Sequence, residues 1–211
     1  MTIGSAVRGL LGPRLERVAA DGYRRMFVNL NDVAATIAGL GSFSSLVEVG
    51  CGEGALMTCL LNALGAEAEA LGIDIAPNPG RNFVGSGSNV TFRQTAVQDL
   101  VNEGRRFDLV VVSDVLHHIL PDEREAFLRS CRDLLAPSGT IVVKEWVRRR
   151  NLAHAAAYVS DRYISGDSTV DFYSETELND VFVEVYCAGG SRVVRTHCSP
   201  HRNNVLVATT I

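Results

Sequence analysis

Two acidic residues bracket the stretch of this chain best suited to chemistry. Glu48 lies just before the glycine loop Gly50-Cys51-Gly52-Glu53-Gly54, and Asp74 closes the next apolar run, Gly72-Ile73-Asp74. Glycines at the exit of an apolar run let the backbone come close to a ligand and adopt turns that other residues resist. A carboxylate at the end of the following run can accept hydrogen bonds from both hydroxyls of a ribose, and one beside the loop attracts a cation. The pattern suits a ligand with an ammonium group at one end and a ribose diol at the other.

The glycines alone do not choose that ligand. Gly50, Gly52 and Ala55 also satisfy the dinucleotide pattern, with Asp74 close to the expected distance of about twenty residues beyond. A dinucleotide site brings a pyrophosphate onto a helix N-terminus, and there Glu48 and Glu53 would oppose the phosphate charge. Two carboxylates are easier to reconcile with an ammonium and a sulfonium, the groups that S-adenosylmethionine carries.

The loop needs a strand before it and a helix after it. Residues 46–49 form a short apolar strand, and Leu56, Leu60, Leu61 and Leu64 recur at helical spacing before Gly65. Residues 70–75 and 90–93 make a second and a third strand. The unbroken apolar run 109–112 fits a parallel strand buried on both faces. Asp122-x-x-Glu125 has the form of a capping box and opens a helix with Phe127, Leu128, Cys131, Leu134 and Leu135 on one face. The turn Pro137-Ser138-Gly139 ends it, and 140–143 is a fifth strand. Ser174-x-x-Glu177 caps a helix over Leu178, Val181, Phe182 and Val185. Val183, Val185 and Cys187 also alternate as in a strand, but the cap and Gly189-Gly190 favour the helix. The runs 192–196 and 204–210 are too close in sequence for a crossover, so they must be antiparallel. Before the loop, Val7, Leu10, Leu11, Leu15 and Val18 predict one helix, and Asn31 or Asp32 caps another through Val33, Ile37 and Leu40 that stops at Gly41. The expectation is one α/β domain over 1–211. It has a Rossmann-like, doubly wound, mostly parallel seven-stranded sheet, a C-terminal antiparallel pair, and helical lid residues 1–42 ahead of the core 43–211.

From Ser45 onward the chain resembles the class I S-adenosylmethionine-dependent methyltransferases. The resemblance rests on Val47-Glu-Val-Gly-Cys-Gly-Glu-Gly54, Gly72-Ile-Asp74, Phe107-Asp-Leu-Val-Val-Val-Ser-Asp-Val-Leu-His-His118 and Leu134-Leu-Ala-Pro-Ser-Gly139, in that order. It implies that Gly50, Cys51 and Gly52 hold the methionine part of S-adenosylmethionine, with Glu48 near its amino group. It further implies that Asp74 binds the ribose, Ile75 packs on the adenine, and Ser113 and Asp114 border the methionine and the methyl. The Asp that meets the adenine amine in this family has no counterpart at Ala96-Val97; either the backbone there or Asp99 takes its place.

Methyl transfer is an in-line displacement, so the protein mainly aligns the acceptor and excludes water. A base is needed only when the acceptor must lose a proton. The candidates stand at strand ends: His117 and His118 after the fourth, Glu145 at the fifth, His197 at the sixth. His197, Cys198 and His201 flank Pro200 in a turn, which disfavours a metal site, and none is expected. Residues 158–173, rich in Tyr and Asp, and the lid residues Tyr23, Met26 and Phe27 are expected to frame the acceptor.

The formal net charge of −4 argues against a nucleic-acid partner. Arg148-Arg149-Arg150 is the densest basic run, read as a solvated loop or an anionic-substrate contact. Five scattered cysteines without paired spacing read as reduced thiols of a cytoplasmic protein. No run approaches the roughly 20 apolar residues of a membrane span. The expected partner is a small-molecule acceptor methylated on O or N, with the chain a monomer or homodimer. The alternatives are a catalytically silent cofactor-binding or scaffolding protein and an NAD-dependent oxidoreductase.

Overall fold

The computed structural model describes residues 28–65, 67–85, 89–151, 154, 170–187, 191–198 and 202–211. The predicted helix at 7–18, the lid residues Tyr23, Met26 and Phe27, His201, and 158–169 of the acceptor segment lie outside them. The elements in chain order are α1 (Leu30–Ala38), β1 (Ser45–Val49), α2 (Ala55–Leu64), β2 (Glu69–Asp74), β3 (Val90–Gln94), α3 (Val97–Asn102), β4 (Phe107–Ser113), a 3-10 turn (Leu116–His118), α4 (Arg124–Asp133), β5 (Leu135–Trp146), α5 (Glu175–Tyr186), β6 (Val194–His197) and β7 (Asn204–Thr210).

Among the described residues the strands form one seven-stranded sheet in the order β3-β2-β1-β4-β5-β7-β6. β1 to β5 pair in parallel, and β7 runs antiparallel between β5 and β6. The short link from β6 to β7 allows only a hairpin, as its length requires. A dinucleotide sheet has the all-parallel order 3-2-1-4-5-6 instead, so the inserted β7 separates the two architectures.

β4 shows why this sequence makes a central strand. Val110 and Val112 join the core on the side of α3, α4 and α5, whereas Leu109 and Val111 join the core on the side of α1 and α2. Successive side chains of a strand point to opposite faces, so a strand covered on both faces must be apolar throughout. All four are fully buried, each stabilising by roughly 1.5–3 kcal/mol relative to exposure.

Several boundaries differ from expectation. The N-cap of α1 is Asn29, whose side chain accepts the Asn31 N–H at 3.1 Å, not Asn31 or Asp32. The Asp122–Glu125 capping box does not form: Glu123 holds the N-cap position without a side-chain bond. The first turn of α4 is tied down by the buried Arg124, which donates to Ile119 O at 2.9 Å and Asp171 O at 2.7 Å. β5 begins at Leu135, and the expected turn is an irregularity within it where pairing with β4 jumps from Leu135 to Thr140. The Ser174 capping box does form, Ser174 Oγ accepting the Glu177 N–H at 3.2 Å and Glu177 Oε2 accepting the Ser174 N–H at 2.6 Å. That fixes 175–186 as helix. α3 was not foreseen; six residues are too few to show a helical period.

Candidate active site

Parallel strands leave their carboxyl ends together, and the loops that follow β1, β2, β3 and β4 meet around a cavity of about 770 Å³. Of the residues singled out from the sequence, Gly50, Gly52, Asp74, Ile75, Ala96, Val97, Asp114 and His118 line it. Glu48, Cys51, Ser113, His117, Glu145 and His197 do not.

The glycine loop is fastened by backbone bonds, Gly50 N–H and Cys51 N–H both donating to Ile73 O at 2.8 and 2.9 Å. Gly50 has φ +75°, and a Cβ placed there would stand 2.4 Å from Val115 Cγ2. Backbone conformation and the approach of the post-β4 turn both demand glycine. Asp74 Oδ2 accepts the Gly52 N–H at 2.7 Å and Oδ1 accepts the Ala76 N–H at 2.8 Å. Each oxygen retains a further acceptor lone pair. Next to it Ile75 is 78% exposed, an unusual state for isoleucine on the rim of a cavity.

Glu48 lies beneath the loop rather than on the cavity. It is buried, its Oε2 has no hydrogen-bond partner, and its pKa is pushed up to about 8. Desolvation is the main cause, the Asp74 charge adds to it, and the Met57 backbone N–H opposes it. The Cys51 thiol is pushed up by burial and by the charges of Glu48 and Asp74, which leaves it unreactive. Glu53 turns away from the cavity to Arg81 and Asn82.

At the far end of the cavity, α3 starts where Asp99 Oδ2 accepts the Thr95 hydroxyl at 2.8 Å and the Ala96 N–H at 3.2 Å. Asp99 thus serves the helix start, and Thr95, Ala96, Val97 and Gln98 form the wall.

After β4, Asp114 adopts φ +55°, rare for a residue with a side chain. Its N–H donates to Lys144 O at 2.8 Å, and both its carboxylate oxygens receive Lys144 Nζ, at 2.7 and 2.5 Å. Lys144 has no solvent exposure. Ser113 Oγ stands 3.3 Å from Asp114 Oδ2.

Glu145 organises the turn that follows. Its Oε1 accepts the Val115 and Leu116 N–H groups at 2.8 and 2.7 Å, and its Oε2 lies 2.7 Å from His117 Nδ1. The His117 ring stacks on Phe172 at 4.8 Å, and His117 O accepts the Asp171 N–H at 3.0 Å. His117 and Glu145 are buried in this network. His118, one residue on, faces the cavity. His197 sits on the edge strand β6, its Nε2 3.2 Å from Glu175 Oε2 and 3.3 Å from Arg149 Nη2.

Sequence reasoning missed Val115, Ile119, Glu123, Ala126 and Phe127, which close the cavity from the turn and the first part of α4. Phe127 was read as core, and helical spacing cannot tell a core face from a cavity wall. Lys144 gave one signal: a charged residue directly after the apolar run 140–143.

Residues 47–141 match a protein-family model described as a methyltransferase domain. A ubiquinone biosynthesis O-methyltransferase of Cereibacter sphaeroides is 33% identical over 126 residues, which cover 56% of this chain and 47% of that protein. The chain therefore spans about half the length of the curated relatives it matches. Among solved structures, an O-methyltransferase family protein from Burkholderia thailandensis superposes with a TM-score of 0.68 at 16% identity, covering 86% of this chain and 55% of that one. The 1,6-didemethyltoxoflavin-N1-methyltransferase of the same organism, solved with 1,6-didemethyltoxoflavin and S-adenosylhomocysteine, has a TM-score of 0.64 at 17% identity, covering 100% and 91%.

Proposed function

We propose that this chain transfers a methyl group from S-adenosylmethionine to an oxygen or nitrogen of a small-molecule acceptor; the match of residues 47–141 to a methyltransferase-domain model and the seven-stranded sheet with its antiparallel β7 support the reading. The observation that carries the reading of a nucleoside in the cavity is the Asp74 carboxylate, held at the end of β2 by two backbone N–H groups, beside the exposed Ile75; the antiparallel β7 sets the fold apart from a dinucleotide sheet. A carboxylate with spare lone pairs next to an apolar shelf matches a ribose diol joined to an adenine. In this reading the backbone of Gly50 and Gly52 holds the methionine part, Ala96 and Val97 meet the adenine edge, and Asp114 borders the sulfonium.

The sulfonium supplies an electrophilic methyl when the cofactor is bound. The protein's share is alignment, exclusion of water and, for a hydroxyl acceptor, removal of one proton. His118 is the base candidate on the cavity. His117 and Glu145 are assigned to hold the turn that presents it, and His197 receives no role in transfer. The segment before residue 43 and residues 158–173 are assigned to cover the acceptor. All five cysteines are free thiols, which supports a reducing compartment. No helix among the described residues is long and apolar enough to cross a membrane.

The test is calorimetric titration with S-adenosylhomocysteine, followed by incubation with S-adenosylmethionine and a panel of phenols, alcohols and amines. The native chain should bind S-adenosylhomocysteine and release it as product with at least one acceptor class. Asp74→Ala should weaken binding by about 100-fold, the loss of two charge-assisted hydrogen bonds. Binding unchanged by that substitution would sink the assignment. Binding without turnover across the panel would favour a silent cofactor-binding protein.

A further inference from the structure

The run Arg148-Arg149-Arg150 is not absorbed by the methyl-transfer site. It follows β5 at the carboxyl end of the sheet and, with Asn151 and His154, lines a second cavity of about 620 Å³. Two of its arginines are engaged. Arg148 Nη2 pairs with Glu177 Oε2 at 3.1 Å while its Nη1 donates to Phe172 O at 3.1 Å, and Arg149 Nη2 pairs with Glu175. Arg150 is exposed and has no ion pair among the described residues.

The local charge is lopsided. Among the described residues, the guanidinium groups of Arg124, Arg148, Arg149 and Arg195 pair with the carboxylates of Asp171, Glu175 and Glu177, and Arg150 adds a further positive charge. This positive island stands on a chain whose formal charge is −4. His154 adds a neutral donor. Trp146 Nε1–H, which can only donate, meets His154 Nδ1 at 3.3 Å, so the ring hydrogen sits on Nε2. Burial and the Arg148 charge hold His154 below its ordinary pKa, keeping the ring neutral at pH 7. Asn151 is occupied, its Oδ1 accepting the His154 N–H at 2.8 Å and its Nδ2 donating to Asn203 Oδ1 at 2.8 Å. Among the described residues that line the recess, none is a carboxylate.

The recess is close to the larger cavity. Phe172, whose carbonyl takes Arg148, stacks on His117, the neighbour of the cavity-lining His118. We propose that the recess binds an oxyanion, a carboxylate or phosphate, borne by the methyl acceptor, with Arg150 as its principal contact. The part that assigns the anion to an acceptor rests on the methyl-transfer reading; the anion site itself does not.

Trp146 is the only tryptophan of the chain and is bonded to His154, so its emission reports on the recess. The full chain, saturated with S-adenosylhomocysteine, is titrated with inorganic phosphate, with phenyl phosphate and with sodium chloride at matched ionic strength. Both phosphates should change the emission saturably, phenyl phosphate at the lower concentration, and chloride should not. Arg150→Gln should raise both dissociation constants about tenfold, the loss of one charge-assisted contact, and Arg150→Lys should restore part of the affinity. Neither substitution should alter the calorimetric affinity for S-adenosylhomocysteine. A response that chloride reproduces, or that Arg150→Gln leaves intact, overturns the site. Equal affinity for the two phosphates overturns its assignment to an acceptor. Failure of S-adenosylhomocysteine to bind would strike the methyl-transfer reading instead, and the phosphate titrations would then be read on the unloaded chain.

Discussion

Replacing Glu48 by Gln keeps its shape and removes its titration. In the folded chain Glu48 stays protonated up to about pH 8, through burial first and the Asp74 charge second, against an ordinary value of 4.5. The unfolded chain gives up that proton at about 4.5 and so binds fewer protons across the interval. Stability must then fall as pH rises. The contribution is fully present below 4.5, is lost progressively toward 8, and is constant above. At about 1.4 kcal/mol per pH unit, the whole interval amounts to about 5 kcal/mol, an upper bound for a single group. Glu48 is fully buried, so solvent screening does not reduce it. Urea unfolding of the native chain and of Glu48→Gln, run at half-unit steps from pH 4.5 to 9, gives two stability curves. Any fixed cost of exchanging hydroxyl for amide cancels in the shape of their difference. The variant should gain on the native chain by several kcal/mol between pH 5 and 8 and then level off. A difference curve flat to within about 1 kcal/mol would refute the reasoning, because Glu48 would then titrate alike in the folded and unfolded chain.

Glu145→Ala strands two backbone N–H groups and the His117 ring; it should cost about 3–5 kcal/mol. Glu145→Gln, which keeps the two backbone acceptances, should cost about half as much; urea midpoints compare them. Asp114→Asn leaves the Lys144 ammonium buried without its counter-charge and should cost about 3–5 kcal/mol. Lys144→Met should cost clearly less, since Asp114 retains 34% exposure and can be solvated. The double variant should unfold at higher urea than Asp114→Asn alone, and the same denaturation series checks the order.

The layout of the sheet was legible because burial on both faces forces an uninterrupted apolar run, as in 109–112, and because a link as short as that between β6 and β7 permits only a hairpin. The glycine loop was legible for a similar reason: Gly50 must be glycine on two independent grounds. The histidines were not. His117 and His118 are adjacent and chemically identical, and only the carboxylate of Glu145, 28 residues away in sequence, decides which one turns inward. The Asp122–Glu125 pattern misled because a cap needs backbone geometry as well as residue type, and Arg124 drawn inward fixes that first turn differently. α3 was invisible because its start depends on Asp99 folding back on Thr95 and Ala96 rather than on any apolar period.

The charge argument that favoured a sulfonium over a pyrophosphate rested on Glu48 and Glu53, and the structure removes both from the cavity. Glu53 is spent on Arg81 and Asn82, and Glu48 is buried and protonated near neutral pH. Neither therefore presents a negative charge to the cavity. Among the described residues the carboxylates that line it are Asp74, Asp114 and Glu123, and Asp114 is matched by the Lys144 ammonium. Asp74 alone does not choose between cofactors, since a ribose is common to both. What discriminates is the sheet: β7 enters antiparallel between β5 and β6, which the all-parallel dinucleotide order lacks. Under the proposed reading the loop takes the nucleoside, and the antiparallel hairpin sets this sheet apart from the dinucleotide order.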